Sequence, residues 1–326
     1  MHKGLGLRVA ALMLALAFSA GVAACGDDDD GNGGGGGGGP TTLNVGVIPI
    51  ADVAPLYLGM KKGFFEDEQL TIKPQLAEGG AAITPAVVSG DFQIGFSNII
   101  SLLIAASQDL PVQIISQGVL AGTTEEDAWA DLLVLKDGPI KDAKDLEGKT
   151  IAVNTLKNIC EVTIKASLEK EGVAVDQLKF TEVPFPDMNA ALEAGRVDGA
   201  CVVEPFVSQG KAGKARGIDP FYVRTAPDLT VATYFTSTQY AEENADVVDR
   251  FVSAMNKSLT YAQSHPDEVR DVLLEYTEIP PEAAEAIKLP VWRPDLNEPT
   301  IELLSELSLK YGLIEEQPDL DDLIRE

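Results

Sequence analysis

Apolar and polar positions along the chain fall into an order that is used twice. Residues 43–50 (LNVGVIPI) are apolar almost throughout and predict a buried strand. Residues 55–62 carry a helical pattern that stops at Gly63, and residues 70–76 alternate as a second strand. A second helical pattern over residues 81–89 stops at Gly90, and residues 91–96 read as a third strand. Strand, helix, strand, helix, strand implies a parallel sheet with helices on its faces.

The order then recurs. Residues 150–154 predict a strand, 160–171 a helix stopped by Gly172, and 178–183 another strand. A helix over residues 187–194 stops at Gly195 before a strand over 197–204. The local text repeats as well, AVVSGDFQIGF in the first half against ALEAGRVDGAC in the second. These halves predict an α/β fold of two lobes with similar plans. Residues 131–135 (DLLVL) read as a strand near a crossover, and residues 230–237 (TVATYFTS) as a strand returning to the first lobe. Two such strands would make a hinge. Beyond Ala241 the pattern is helical over residues 246–263, 266–276, 281–287 and 300–311, with Gly312 as the last stop. These helices are expected on the first lobe. The expected division is residues 41–128 with 230–326 for lobe 1, and 129–229 for lobe 2.

The N-terminal residues follow a different logic. Lys3 and Arg8 precede an uncharged, Ala/Leu/Val-rich stretch over residues 9–24, which is short for a bilayer span of about 20 apolar residues. It ends Val22-Ala23-Ala24-Cys25, which looks like the lipobox of bacterial lipoproteins, with Cys25 becoming the lipidated N-terminus. Residues 25–40 hold four consecutive aspartates and a run of glycines and cannot bury apolar surface, so they read as a disordered tether. A solvated spacer is the simpler account of those aspartates than a metal site.

Charge narrows the partners. The chain carries 51 acidic against 25 basic residues, a net charge of −26, which argues against nucleic acid. With Cys25 assigned to lipid, Cys160 and Cys201 remain; pairing is open outside the cytoplasm, but their apolar contexts favour buried thiols. His265 stands before Pro266 at a helix boundary, with nothing to place a nucleophile beside it. There is no CxxC, HExxH or phosphate-loop pattern. No catalytic residue, cofactor or metal is expected.

In open α/β sheets ligands sit beyond the carboxyl ends of the strands, where helix N-termini aim backbone N–H groups outwards. That rule selects Asp52 and Pro55 after the first strand, Gly79 and Gly80 after the second, and Ser97 and Asn98 after the third. In the second lobe it selects Asn154, Thr155 and Asn158, then Glu204 and Phe206. Each has a plainer role. Ser97, Asn154 and Thr155 are natural helix caps, Gly79-Gly80 a turn, and Asp52 a cap of its own helix. Glu204 ends an apolar strand (ACVV) and needs a partner, whether an internal cation or a ligand.

The segments VGVIPIADVAPLYLGMKKGFFEDEQL, AVVSGDFQIGFSN, DLEGKTIAVNTL and ALEAGRVDGACVVEPF resemble the solute-binding proteins of ABC importers for nitrate, sulfonates, taurine and thiamine-precursor pyrimidines. The resemblance runs over residues 43–323. It implies a two-lobed periplasmic-binding-protein-like fold that closes on a small solute without catalysis and then meets permease subunits at the membrane. It also implies that Asp52, Gly79, Gly80, Ser97, Asn98, Thr155, Asn158 and Glu204 line the cleft. With the lipobox, the protein is expected as an exported monomer held at the outer face of the cell membrane. Two carboxylates without a facing Lys or Arg favour a solute with N–H donors, although helix N-termini keep sulfonates and nitrate open. Two rivals stand beside this reading. One is a thiamine-pyrimidine synthesis enzyme of the same fold, which looks cytoplasmic and uses an active-site histidine and a cofactor lysine. The other is a membrane-anchored solute sensor.

Overall fold

Two five-stranded sheets carry the fold, and their strand orders correspond position by position. The computed structural model describes residues 40–277 and 279–325, apart from the side chain of Glu282. The leader, Cys25 and the Asp/Gly stretch lie outside the described residues.

The chain enters at β1 (Thr41–Val47), then α1 (Ala54–Lys61), α2 (Phe64–Asp67), β2 (Leu70–Leu76) and α3 (Gly80–Val88). It continues through β3 (Ile94–Asn98), α4 (Ile99–Ser107) and β4 (Val112–Leu120) before crossing to the second sheet. There it forms β5 (Ala130–Leu135), β6 (Thr150–Val153), α5 (Ile159–Lys170), β7 (Lys179–Glu182) and α6 (Phe185–Glu193). Next come β8 (Gly199–Val203), α7 (Phe206–Ala212), β9 (Ala215–Asp219) and the short α8 (Phe221–Thr225). After returning, it forms β10 (Thr230–Ser237), α9 (Thr238–Glu243), α10 (Ala245–Ser264) and α11 (Pro266–Tyr276). The last helices are α12 (Pro281–Ala284), α13 (Glu298–Lys310) and α14 (Leu320–Leu323).

The first sheet runs β2-β1-β3-β10-β4 and the second β7-β6-β8-β5-β9. The three strands of each strand–helix alternation are parallel, as expected. In each sheet four strands share one direction, and one strand, β10 or β5, runs antiparallel to both its neighbours. The exception has a topological cause, because β5 and β10 are the strands that the chain enters on arriving from the other sheet. They are the two strands that the sequence placed beside the crossovers. The connections bind each other: Ala121 N donates to Leu229 O at 2.8 Å and Asp228 N to Gly122 O at 3.2 Å.

Helix ends fall where glycine permits. Gly63 and Gly172 follow α1 and α5 with φ of 76° and 78°, the left-handed conformation that other residues adopt at a cost. Helix α10 turns one face inwards, burying Val247, Val248, Phe251, Ala254, Met255, Leu259 and Ala262, and packs on α1, α2 and β4. The helical tail therefore covers mainly the first sheet, while α13 also touches α5 of the second.

Cys160 and Cys201 are joined as a disulfide with a Cα–Cα distance of 6.2 Å, which corrects the expectation of buried thiols. Both positions are apolar and fully buried, as read. What their local contexts could not convey is that α5 and β8 bring them face to face.

Candidate functional site

The carboxyl ends of β1, β3, β6 and β8 meet across a small cavity of about 30 Å³. Ile48, Ile50, Asp52, Phe96, Asn98, Val231 and Ala232 line it from the first sheet. Asn154, Asn158, Ile159, Phe185, Val203 and Tyr222 line it from the second. A space of that size holds one or two waters.

Asp52 sits in a 3-10 turn between β1 and α1 and is 3% exposed. That turn is pinned from the helical tail: Trp292 Nε1 donates to Asp52 O at 3.2 Å, and Tyr276 OH to Ile50 O at 2.9 Å. Tyr276 is itself stacked on Tyr57, with ring centres 3.9 Å apart. The Asp52 carboxylate has no basic partner. Burial pushes its pKa up to about 8, partly opposed by a hydrogen bond from its own backbone N–H, and Oδ1 is buried without any partner. Burial also raises the hydroxyl pKa values of Tyr222, Tyr234 and Tyr276, with the Asp52 charge adding to each.

The three asparagines at the cavity are mostly occupied with one another and with helix starts. Asn98 caps α4, its Oδ1 accepting from Ser101 N at 3.1 Å and its Nδ2 donating to Ser101 Oγ at 3.0 Å. Asn158 caps α5 by accepting from Cys160 N at 3.1 Å, and its Nδ2 donates to Asn154 Oδ1 at 2.6 Å and Thr155 Oγ1 at 3.0 Å. Asn154 Nδ2 crosses between the lobes to Glu78 O at 3.2 Å.

Glu204 is placed otherwise. It ends β8 as expected and is 1% exposed, yet it does not line the cavity. Its Oε1 accepts from Ser208 Oγ at 2.7 Å and Lys288 N at 3.2 Å, and its Oε2 from Ser208 N at 3.0 Å. Burial raises its pKa, against the opposing pull of those donors and of the Lys211 charge. The partner that the apolar strand demanded is thus a helix turn and a backbone N–H from the tail. The Glu204 carbonyl also accepts from Ala51 N at 3.0 Å, tying the two lobes together next to Asp52.

The remaining selected residues divide. Gly79 and Gly80 start α3 without lining the cavity, but both allow close approaches. A Cβ on Gly79 would lie 2.9 Å from Asn154 Nδ2 and from Thr155 Cγ2 across the cleft, and one on Gly80 would lie 2.0 Å from Ser97 Oγ. Ser97 is fully buried, with Oγ donating to Asn98 O at 3.2 Å. Pro55 packs in the core at the start of α1. Phe206, stacked near Phe185, lines a separate opening of about 380 Å³ with Pro49, Leu76, Gln209, Tyr276 and Ile279.

The sequence reading missed Tyr222, Phe96, Phe185 and Ile159, apolar or aromatic residues that periodicity assigns to the core. A larger hollow of about 500 Å³, near Leu110, Pro111 and Pro318, borders the start of β4 and so lies at the opposite end of the first sheet. His265, the one histidine among the described residues, stacks on Tyr261 between α10 and α11, away from the cavity.

Residues 50–269 match the family described as NMT1/THI5 like, a span that contains Asp52, the three asparagines and Glu204. The chain belongs to this family. Among its relatives, the taurine-binding periplasmic protein of Escherichia coli (strain K12) is 30% identical over 206 residues, covering 63% of this chain and 61% of that one. The family likeness extends to an enzyme: 4-amino-5-hydroxymethyl-2-methylpyrimidine phosphate synthase of Aspergillus parasiticus is 22% identical, covering 65% of this chain and 64% of its own. The chain thus spans less than two thirds of the length of these curated relatives. Among solved structures, the alkanesulfonate-binding protein SsuA from Xanthomonas axonopodis pv. citri, bound to MOPS, superposes with a TM-score of 0.75 at 18% identity. That match covers 88% of this chain and 99% of the other. The two-lobed α/β fold is therefore that of periplasmic binding proteins.

Proposed function

We propose that this family member is the extracytoplasmic solute-binding component of an ABC importer, a monomer anchored through lipid on Cys25. It captures a small organic or nitrogen- or sulfur-containing solute between its lobes and presents the closed form to permease subunits. The observation that carries this reading is the cavity itself. It lies at the strand carboxyl ends, takes side chains from both sheets, and contains a buried carboxylate with an unused oxygen. A solute touching both walls stabilises the closed arrangement because only there are all its contacts made. The paired connections between Gly122 and Asp228 provide the hinge.

The cavity also weighs against the enzymatic relative's chemistry. Neither lysine nor histidine lines it, whereas the enzymatic rival is expected to use an active-site histidine and a cofactor lysine.

Thermal-shift screening followed by small-angle scattering tests the proposal. A solute at 100 times its dissociation constant adds about 2.7 kcal/mol to stability and should also reduce the radius of gyration. Stabilisation by a solute without any compaction would count against closure. Lipidation is tested separately: Cys25→Ser should release the protein from membranes without changing solute affinity.

A further inference from the structure

The polar groups around the cavity specify what kind of solute they can accept. Eight lining residues are hydrocarbon or Phe, namely Ile48, Ile50, Phe96, Ile159, Phe185, Val203, Val231 and Ala232, and none is Lys, Arg or His. An oxyanion needs several donors, and those of the asparagines are largely engaged, which leaves the Tyr222 hydroxyl as a single neutral donor among the described residues. The first turns of α4 and α5 border the cavity, but Asn98 and Asn158 cap them and accept from Ser101 N and Cys160 N. Both hydrogens of Asn158 Nδ2 go to Asn154 and Thr155, and Asn154 Nδ2 is turned to Glu78 O. Among the described residues, the only buried, unpartnered polar side-chain atom on a lining residue is Asp52 Oδ1, an acceptor.

Resting on the solute-binding reading above, we propose that the cavity selects a small organic cation, an amine or amidine whose N–H is placed on Asp52, and rejects sulfonates and nitrate. An anion would make ionising Asp52 costlier still and leave it neutral, whereas a cation favours its charged form and pairs with it in a water-poor space. A cation supplies the charge that the site lacks, and Oδ1 gains its missing hydrogen bond. Phe96 and Phe185 reach the cavity from opposite lobes and offer aromatic walls to the organic part, with Tyr222 as a further aromatic neighbour. The protein's charge acts in the same direction. A net charge of −26 draws cations towards the surface and holds anions off. This selectivity departs from the sulfonates named for the superposed structure, and that difference makes the proposal decidable.

The experiment is isothermal titration calorimetry on the soluble chain (residues 41–326). The probes are benzamidine and butylamine, the uncharged isostere benzamide, and the anions ethanesulfonate and nitrate. The expected result is binding of at least one of the two cations, with benzamide much weaker and both anions silent. Asp52→Asn, which keeps the side chain's size, should weaken the cation about 30-fold or more, as loss of one member of a buried charge pair does. Asp219→Asn serves as the comparison variant: it removes a buried carboxylate that does not line the cavity, so it should leave the preference for cation over anion in place.

Binding of ethanesulfonate or nitrate to the wild type, or cation binding indifferent to Asp52→Asn, would overturn the cation assignment while leaving the solute-binding reading intact. Failure of both cations to bind would overturn it too. Silence of all five probes, together with a scattering curve that no extract of small molecules alters, would bring down the solute-binding reading itself.

Discussion

Where β1 leaves the first sheet, the chain turns at Asp52; where the corresponding edge of the second sheet is left by β8, it turns at Glu204. Both carboxylates are buried beside the same interlobe contact, since Ala51 N donates to Glu204 O. Their surroundings differ in kind. Glu204 accepts from Ser208 through its hydroxyl and its N–H, and from Lys288 N, whereas Asp52 leaves Oδ1 without a partner. A buried acid with its lone pairs filled is part of the scaffold, and one left short of donors is where a ligand has something to contribute. Lying at the carboxyl end of a strand does not separate the two; the inventory of donors does.

The disulfide extends this contrast between lobes, because Cys160 and Cys201 staple α5 to β8 within the second sheet's layer. Replacing both by alanine should lower the unfolding free energy by about 2–4 kcal/mol, while leaving solute affinity unchanged. Urea unfolding beside calorimetry checks both parts, and a large loss of affinity would mean that the staple shapes the cavity.

Glu204→Ala should cost about 1–3 kcal/mol of stability, because Ser208 and Lys288 N–H lose a buried acceptor. Its effect on affinity should be smaller than that of Asp52→Asn. If Glu204→Ala abolished binding and Asp52→Asn did not, the division of roles drawn above would be reversed.

Gly79→Ala should weaken solute binding about tenfold, since the added methyl meets Asn154 and Thr155 across the cleft and so opposes lobe closure, a modest case of overpacking. The melting temperature without solute should move little. An unaltered affinity would mean that the cross-cleft contact does not form in the bound state.

The last prediction concerns the pH dependence. The pKa of Asp52 is raised from 3.8 to about 8 and that of Asp219 from 3.8 to about 7, so the folded protein holds these protons more tightly than the unfolded chain does. Their stabilising contribution is complete below about pH 4 and is lost as pH rises through about 7 and 8. Asp219 lies outside the cavity, with Ser167 Oγ donating to it at 2.6 Å and Arg224 beside it. Asp52→Asn should therefore roughly halve the slope between about pH 4 and 7 and remove it between about 7 and 8, as read from urea midpoints across that range. An unchanged slope would mean that Asp52 is ionised in the free protein.

Much of this was legible along the chain, for identifiable reasons. Buried strands and helix-stopping glycines are local, so the repeat and the edge carrying Asp52, Asn98, Asn154 and Asn158 could be located without coordinates. Residues 99–120 went unread because IISLLIAAS is apolar throughout, and such a run does not distinguish helix from strand by period. The partners of Glu204 could not be read either. Ser208 lies one turn ahead, but Lys288 arrives from 84 residues away. Tyr222 and Phe185 look like core residues, and they reach the cavity only through the packing of the second sheet. Cys160 and Cys201 are 41 residues apart and meet through the same packing.

The most direct test is a crystal structure of the soluble chain grown with the tightest-binding solute from the screen. The account predicts electron density between Asp52 and the Asn98, Asn154 and Asn158 cluster, touched by both lobes, with a nitrogen of the solute on Asp52 Oδ1. Density in the opening beside Leu76 and Phe206, or a solute held by one lobe alone, would contradict it.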